Sequence, residues 1–312
     1  MNKLSILVPC YNEEDNVVPL ANEIEKTIKT KLSSYDYEIV FIDNNSIDNT
    51  RSLIRELCNN KKIKAIFNIK NFGQNNSPYH GICQTTGDCT ITMCADFQDP
   101  VELIPELVKE WENGYKIVSC IKNKSKENKI VRFLRTCYYR LIKKMSEVEQ
   151  IEHFTGFGLY DKSFINIIKN INDPLPFLRG IVAELGFKRK EIYYEQPKRK
   201  SGRTKNNWYT LYDLAMLSFT SYTKTGLRLA TISGFIIGAI TFIIAIVYLI
   251  LKLIYWDNFP MGMAPLILGV FFFGAIQLFF IGFIGEYIMV INTRLRLMNR
   301  PLVIEEERIN FD

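Results

Sequence analysis

Two long stretches without a charged residue constrain this chain more than any other feature. Residues 229 to 251 and 263 to 285 each run for about 23 positions without Asp, Glu, Lys or Arg. At ~1.5 Å per residue a helix of that length reaches roughly 34 Å, enough for a bilayer core of about 30 Å. Two transmembrane helices are therefore expected within 229–291, joined by a short connector at 252–262 whose Tyr255, Trp256 and Phe259 suit an interfacial belt. Lys224 and Arg228 precede the first span, and Arg294, Arg296 and Arg300 follow the second. The positive-inside rule then puts both termini, and the bulk of the chain, on the cytoplasmic side of a cell inner or plasma membrane. Met1-Asn2-Lys3 leads into an apolar run ended by Pro9, too short for the core of a signal peptide.

The other 200-odd residues ahead of the spans are enough for one sizeable core. All seven cysteines precede the spans and are expected as reduced thiols. There is no Cys-x-x-Cys pair and there are two histidines, which argues against a structural zinc site. A net charge of +6 without a nucleic-acid motif reads as attraction to anionic lipid or phosphate, not to nucleic acid.

Short β-branched runs alternate with helical patterns through the first 120 residues, which predicts an α/β domain with a mostly parallel sheet. Strands are expected at Leu4–Val8, Glu38–Ile42, Ile63–Ile69, Thr90–Ala95 and Lys116–Cys120. Helices are expected from about Asn16 to Lys29, Asn49 to Cys58, and Pro100 to Asn113 with Asp99 as N-cap; another helix start is read at Pro78. Ligands of such sheets bind beyond the carboxyl ends of the strands. Four polar segments follow the first four strands: Pro9-Cys10-Tyr11-Asn12-Glu13-Glu14, Asp43-Asn44-Asn45-Ser46, Lys70-Asn71-Phe72-Gly73 and Asp96-Phe97-Gln98-Asp99. Any one of them reads equally well as a turn with a helix cap; four at one edge read as a site. Asp96, delivered by an apolar strand, is a carboxylate able to face a metal-bound phosphate. Farther on, residues 130–148 interleave basic and apolar side chains, as a membrane-surface helix or an ordinary solvated one would. Residues 207–228 read as an interfacial helix feeding the first span, and 292–312 as a cytoplasmic tail.

Together these segments resemble the family 2 glycosyltransferases with the GT-A fold. Phe177-Leu178-Arg179-Gly180, the run from Arg199 through Gly202 and Thr204 to Lys205, the two spans and Gly285-Glu286-Tyr287 are similar to its polyprenyl-phosphate branch. The resemblance implies a glycosyltransferase domain over 1–206 that inverts the anomeric carbon, taking a nucleotide sugar, with a UDP-sugar favoured, and a polyprenyl phosphate acceptor. It implies that Pro9, Tyr11, Glu13, Asp43, Asn71 and Gly73 bind the donor, and that Asp96 and Gln98 face Mg²⁺ or Mn²⁺ and the diphosphate. Arg199 and Lys205 would close over that diphosphate, the alternative for this basic segment being a lipid-binding patch. Lys122, Arg132 and Arg135 are the candidates for gripping the acceptor phosphate. A homo-oligomer is expected, since the branch includes tetramers.

The chain departs from the family pattern at three carboxylates. Cys94 stands where a second Asp is usual, Asn44-Asn45-Ser46 where Asp-Gly-Ser is frequent, and Gly156-Phe157 where a Gly-Asp-Phe motif supplies a proposed base. Cys94 is expected as a small buried residue more than as a ligand, since hard cations disfavour sulfur. A phosphate monoester, largely dianionic at neutral pH, needs no general base, so the missing Asp favours a lipid-phosphate over an alcohol acceptor. A catalytically silent membrane scaffold is the reading these departures leave open.

Overall fold

The computed structural model describes residues 2–124, 151, 154–197, 212, 216–217, 219–221, 225–255 and 263–311. The first four strands are β1 (Lys3–Cys10), β2 (Asp36–Asp43), β3 (Ile63–Asn68) and β4 (Cys89–Thr92). Between them lie α1 (Val17–Lys31), α2 (Thr50–Leu57) and α3 (Gly73–Gln84). A 3-10 turn at Val101–Leu103 leads into α4 (Ile104–Glu112), followed by β5 (Ile117–Lys124), β6 (Phe154–Asp161), α5 (Lys162–Ile171), α6 (Leu178–Glu184) and β7 (Arg189–Glu195). Two long helices, α7 (Thr225–Ile254) and α8 (Met263–Leu297), precede the last strand, β8 (Glu305–Ile309).

The strands form one sheet in the order β7-β5-β6-β4-β1-β2-β3-β8. β4, β1, β2 and β3 are mutually parallel, as is the β5–β7 pair, while β6 and β8 run antiparallel to their neighbours. Alternation along β1 shows why the strands are so apolar: Ile6 and Val8 pack with α1 residues Leu20 and Ile24, whereas Leu7 joins Tyr79 and Ile82 of α3 on the opposite face. Both faces are covered, so near-continuous apolar strands are required.

Three local expectations change. The helix expected to start at Pro78 begins at Gly73, with Pro78 inside it. The Asn71 side chain accepts the Gly73 N–H at 2.8 Å and so supplies the start that Pro78 was expected to mark. Asp99 does not cap the following helix, which begins at Val101 with no side-chain cap, because its carboxylate is engaged elsewhere. The segment read as a tail, 292–312, carries the end of α8 and then β8, which pairs antiparallel with β3. Glu305-Glu306-Glu307 is a poor strand sequence by propensity, but Arg51 and Arg55 pair with Glu306 and Glu307 at 2.6 and 2.7 Å, and His80 pairs with Glu305. Charge on an edge strand also discourages further strand addition.

The chain divides into two compact units, one of residues 1–139, 148–207 and 296–312, which holds the sheet, and one of 140–147 and 208–295. In the second, α7 and α8 are long and apolar enough to cross a membrane over Ala230–Tyr248 and Phe272–Leu297. Their large side chains are uncovered, Phe235 at 76%, Leu278 at 72% and Phe279 at 68% exposure, unlike the core helices of a soluble domain. Glu286, the acid within the second span, accepts the Tyr212 hydroxyl at 2.9 Å, and Phe219 meets Phe283 and Tyr287 edge-on. The amphipathic segment 130–148, most of 207–228 and connector residues 256–262 lie outside the described residues.

Candidate active site

Because β4, β1, β2 and β3 are adjacent and parallel, the loops that follow them open from one edge of the sheet. β1 and β2 end in register, Cys10 opposite Asp43. Their loops are laced together: the Asn12 N–H donates to Ser46 Oγ at 2.8 Å, the Ile47 N–H to Asn12 Oδ1 at 2.9 Å, and the Glu13 N–H to Thr50 Oγ1 at 2.8 Å. Glu13 also takes the Asn16 side-chain amide at 2.6 Å, at the start of α1. Asn12 and Asn45 hold φ of +55° and +65°, the left-handed region that Asn tolerates better than most residues.

Asp43 is completely buried at the end of β2. Its carboxylate accepts the Ser46 N–H at 3.1 Å, and Arg51 Nε lies 3.4 Å from Oδ2. Burial pushes this carboxyl above its ordinary range, opposed by the Ser46 bonds and the Arg51 charge. The next loop is tied in by Asn44, whose amide donates to Asn71 Oδ1 at 2.9 Å and to the Gly73 carbonyl at 3.3 Å. The structure thus brings Pro9, Tyr11, Glu13, Asp43, Asn71 and Gly73 onto three linked segments. Tyr11 and Glu13 are half-buried, while Asn71 and Gly73 are exposed.

On the other side of β1, β4 leads into Met93-Cys94-Ala95-Asp96. Phe97 holds φ of +59° with its ring buried in the core. A bulky residue in that conformation is a genuine outlier, of the kind that clusters at functional sites. It reverses the chain between Asp96 and Gln98, and the Gln98 N–H closes on Asp96 Oδ1 at 3.1 Å. Asp99 accepts the Cys94 N–H at 2.8 Å and the Tyr194 hydroxyl at 3.1 Å. Burial pushes the Asp99 carboxyl up to about 6; the Cys94 bond opposes the rise and the Asp96 charge adds to it.

Cys94 as a residue is exposed, not buried as its size suggested; its N–H is held by Asp99, and desolvation together with the neighbouring Asp99 and Asp96 charges pushes its thiol well above the ordinary range. Among the described residues no group of three or more His, Cys, Asp or Glu side chains could hold a metal ion. With the Asp99 carboxylate engaged by the Cys94 N–H and the Tyr194 hydroxyl, the loop after β4 offers the Asp96 carboxylate and the Gln98 amide. A hard-oxygen pair of that size suits a Mg²⁺-type ion that keeps most of its water and phosphate ligands. Lys122 lies on β5, in register with Tyr194. Arg132, Arg135, Arg199 and Lys205 lie outside the described residues.

The sequence reading missed Asn44, Ser46 and Thr50 as the lacing of the loops, and the Asp99–Tyr194 contact. The first three could have been found in the density of Asn, Ser and Thr after β2. Tyr194 carries no such signal, since it is brought to Asp99 from a distant strand.

A family model described as glycosyl transferase family 2 matches residues 5–168 of the chain. The match starts in β1 and ends in α5, so it takes in all four strand-end loops. The chain belongs to glycosyl transferase family 2. A protein of this kind from Escherichia coli K12, a prophage bactoprenol glucosyl transferase homolog, is 32% identical over 97% of this chain and 98% of its own length. The bactoprenol glucosyl transferase of Shigella phage SfX is 30% identical over 92% of this chain and 93% of its own. Among solved structures, glucosyl-3-phosphoglycerate synthase from Mycobacterium tuberculosis aligns over 70% of this chain and 78% of its own, with a TM-score of 0.49 and 15% identity. The enzyme is thus a glycosyltransferase whose mostly parallel sheet presents a strand-end cluster, in a chain that also carries two apolar helices.

Proposed function

We propose that this glycosyltransferase moves a hexose from a nucleotide sugar, a UDP-sugar first among them, to a polyprenyl phosphate at the cytoplasmic face of the membrane, with inversion. The lipid-linked sugar would serve the building or modification of a cell-surface glycan. The observation that carries this reading is the presence, in one chain, of the strand-end cluster and two uncovered apolar helices, together with similarity over nearly full length to relatives named for bactoprenol glucosyl transfer. Bactoprenol is a polyprenyl alcohol, and its phosphate offers an anionic nucleophile.

In this reading the laced loops around Asp43 hold the nucleoside, with the buried carboxylate accepting hydrogen bonds from base or ribose. Pro9, Tyr11, Glu13, Asn71 and Gly73 form the walls. Asp96 and Gln98 would hold a divalent ion, which supplies Lewis-acid stabilisation of the leaving diphosphate when bound. Arg199 and Lys205 neutralise the same charge, and Lys122, Arg132 and Arg135 grip the acceptor phosphate. A phosphate oxygen attacks the anomeric carbon as the bond to the nucleoside diphosphate breaks, and the acceptor dianion brings its own electron pair. No protein base is needed, which accounts for Gly156-Phe157 in place of an acidic motif. The basic residues flanking both spans orient the sheet toward the cytoplasm, and the protein assembles as a homo-oligomer.

The test supplies purified protein in detergent with undecaprenyl phosphate and a panel of UDP- and GDP-sugars, with and without Mn²⁺. Lipid-linked sugar from one donor, lost in Asp96→Ala, is the expected outcome. No product with any donor, together with intact cellular function of Asp96→Ala, would establish the silent scaffold instead.

A further inference from the structure

We infer that Arg51 and Glu306 are positioning residues for the nucleoside pocket, through which the C-terminal strand holds the Arg51 guanidinium against Asp43 and donor binding tightens the contact. The inference rests on the reading of Asp43 as the nucleoside-facing carboxylate. Three separated segments meet here: Asp43 ends β2, Arg51 lies in the first turn of α2, and Glu306 lies on β8. Arg51 Nη2 donates to Glu306 Oε2 at 2.6 Å, while its Nε sits 3.4 Å from Asp43 Oδ2. The guanidinium rests over the Phe67 ring at 5.1 Å, so its plane is set from below as well as from the side.

The Nε atom is the informative one. It is buried and has no hydrogen-bond partner, which is uncommon for a charged donor beside a carboxylate. Asp43 Oδ2 is instead turned toward the Ser46 N–H at 3.1 Å. A small rotation of the Asp43 carboxylate, as a base or ribose engages it, brings Oδ2 within reach of the waiting Nε–H. The donor and the arginine then act on the same carboxylate together, and each favours the other.

Glu306 matters here for geometry more than for stability. Its side chain is 51% exposed, and an ion pair that open to water contributes little to folding. The neighbouring pair provides the contrast: Arg55 donates to Glu307 at 2.7 Å and holds the same strand to the same Phe67 ring, yet forms no ion pair with Asp43 of the kind Arg51 makes. Residues 298–304 join β8 directly to α8, so the strand that sets Arg51 continues from the second apolar helix.

The experiment measures binding of UDP, with GDP in parallel, to the full-length protein in detergent by calorimetry, plus donor KM and kcat where turnover is found. Glu306→Gln is expected to weaken binding about 5- to 10-fold, the scale of exchanging a charge-assisted hydrogen bond for a neutral one, and to raise KM with kcat held. Arg51→Met should cost at least as much, and the double variant no more than Arg51→Met alone. Glu307→Gln should lower the unfolding temperature as much as Glu306→Gln does while leaving affinity within twofold. Equal loss of affinity in Glu306→Gln and Glu307→Gln would overturn the inference, leaving strand docking alone. So would unchanged binding in Glu306→Gln when Asp43→Asn weakens it. If Asp43→Asn leaves binding of both nucleotides unchanged, the nucleoside reading fails, and the inference with it.

Discussion

The Asn44 side chain closes a double contact with the loop after β3: its amide donates to Asn71 Oδ1 at 2.9 Å, and its carbonyl oxygen accepts the Phe72 N–H at the same distance. The Asn68 amide donates to the same carbonyl oxygen at 3.2 Å. Asn44 stands where the resemblance led to an Asp being expected, and the contact gives the amide a use in this chain. Asn44→Asp would set a carboxylate oxygen against Asn71 Oδ1 and the Gly73 carbonyl. We expect a loss of about 1–3 kcal/mol, the cost of a buried polar group left facing the wrong partner. Thermal unfolding at pH 7 checks this, and an unchanged midpoint would show that the two loops are not locked through Asn44.

Cys94 is the exposed residue among the described cysteines; Cys10, Cys58, Cys89 and Cys120 are buried and Cys83 is half-buried. In a Cys137→Ser background, a membrane-impermeant maleimide should label Cys94 in inverted vesicles and not in intact cells, and slowly at pH 7, because desolvation and the Asp99 and Asp96 charges keep its thiol protonated. Labelling from the outside alone would reverse the proposed orientation. Since sulfur suits a hard cation poorly, Cys94→Ser should keep activity within about twofold.

Glu38 supplies a pH dependence at the end of the sheet away from the site. Burial alone would raise its carboxyl, but hydrogen bonds from Ser5, the Thr86 N–H, Lys3 and Lys64 outweigh that and hold it at about 2. A depressed carboxyl stabilises the fold above its ordinary value near 4.5, and the contribution is lost as pH falls toward 2. The shift corresponds to about 3 kcal/mol. Glu38→Gln should therefore be less stable than the parent at pH 7, with the gap narrowing between pH 4.5 and 2. A pH-independent gap would assign the loss to packing.

Gly158 lies on β6 opposite Ser119 of β5. A Cβ there would stand 2.4 Å from the Val118 carbonyl oxygen, a backbone atom that cannot swing aside. Gly158→Ala should cost about 3 kcal/mol, at the upper end for overpacking, by forcing β5 from β6. Circular dichroism with a denaturant titration reads the loss, and a cost under about 0.5 kcal/mol would mean that the strand pair yields easily.

The first four strands and the loops that follow them were legible because each is a local pattern. Continuous apolar runs mark strands buried on both faces, and Asp43 and Asp96 stand at the ends of two of them. Asp99 reads as a helix cap from its neighbour Pro100, and only its distance from the Tyr194 hydroxyl reveals that it is a brace. Cys94 reads as a buried filler, and only the folded loop shows the residue exposed with its N–H held by Asp99. The basic residues Arg132, Arg135, Arg199 and Lys205 stand on the resemblance alone.

The sequence by itself determined the α/β class, the two apolar helices and the family, since hydrophobic periodicity, span length and short motifs act over a few neighbouring residues. Tertiary structure alone decided that Glu305–Ile309, three of whose five residues are Glu, is a strand at the edge of the sheet, and that Glu306 reaches Asp43 through Arg51. Propensity disfavours that strand locally. It forms because Arg51, Arg55 and His80, more than 200 residues earlier in the chain, stand in one row where its carboxylates arrive, an arrangement that exists only after the sheet has folded.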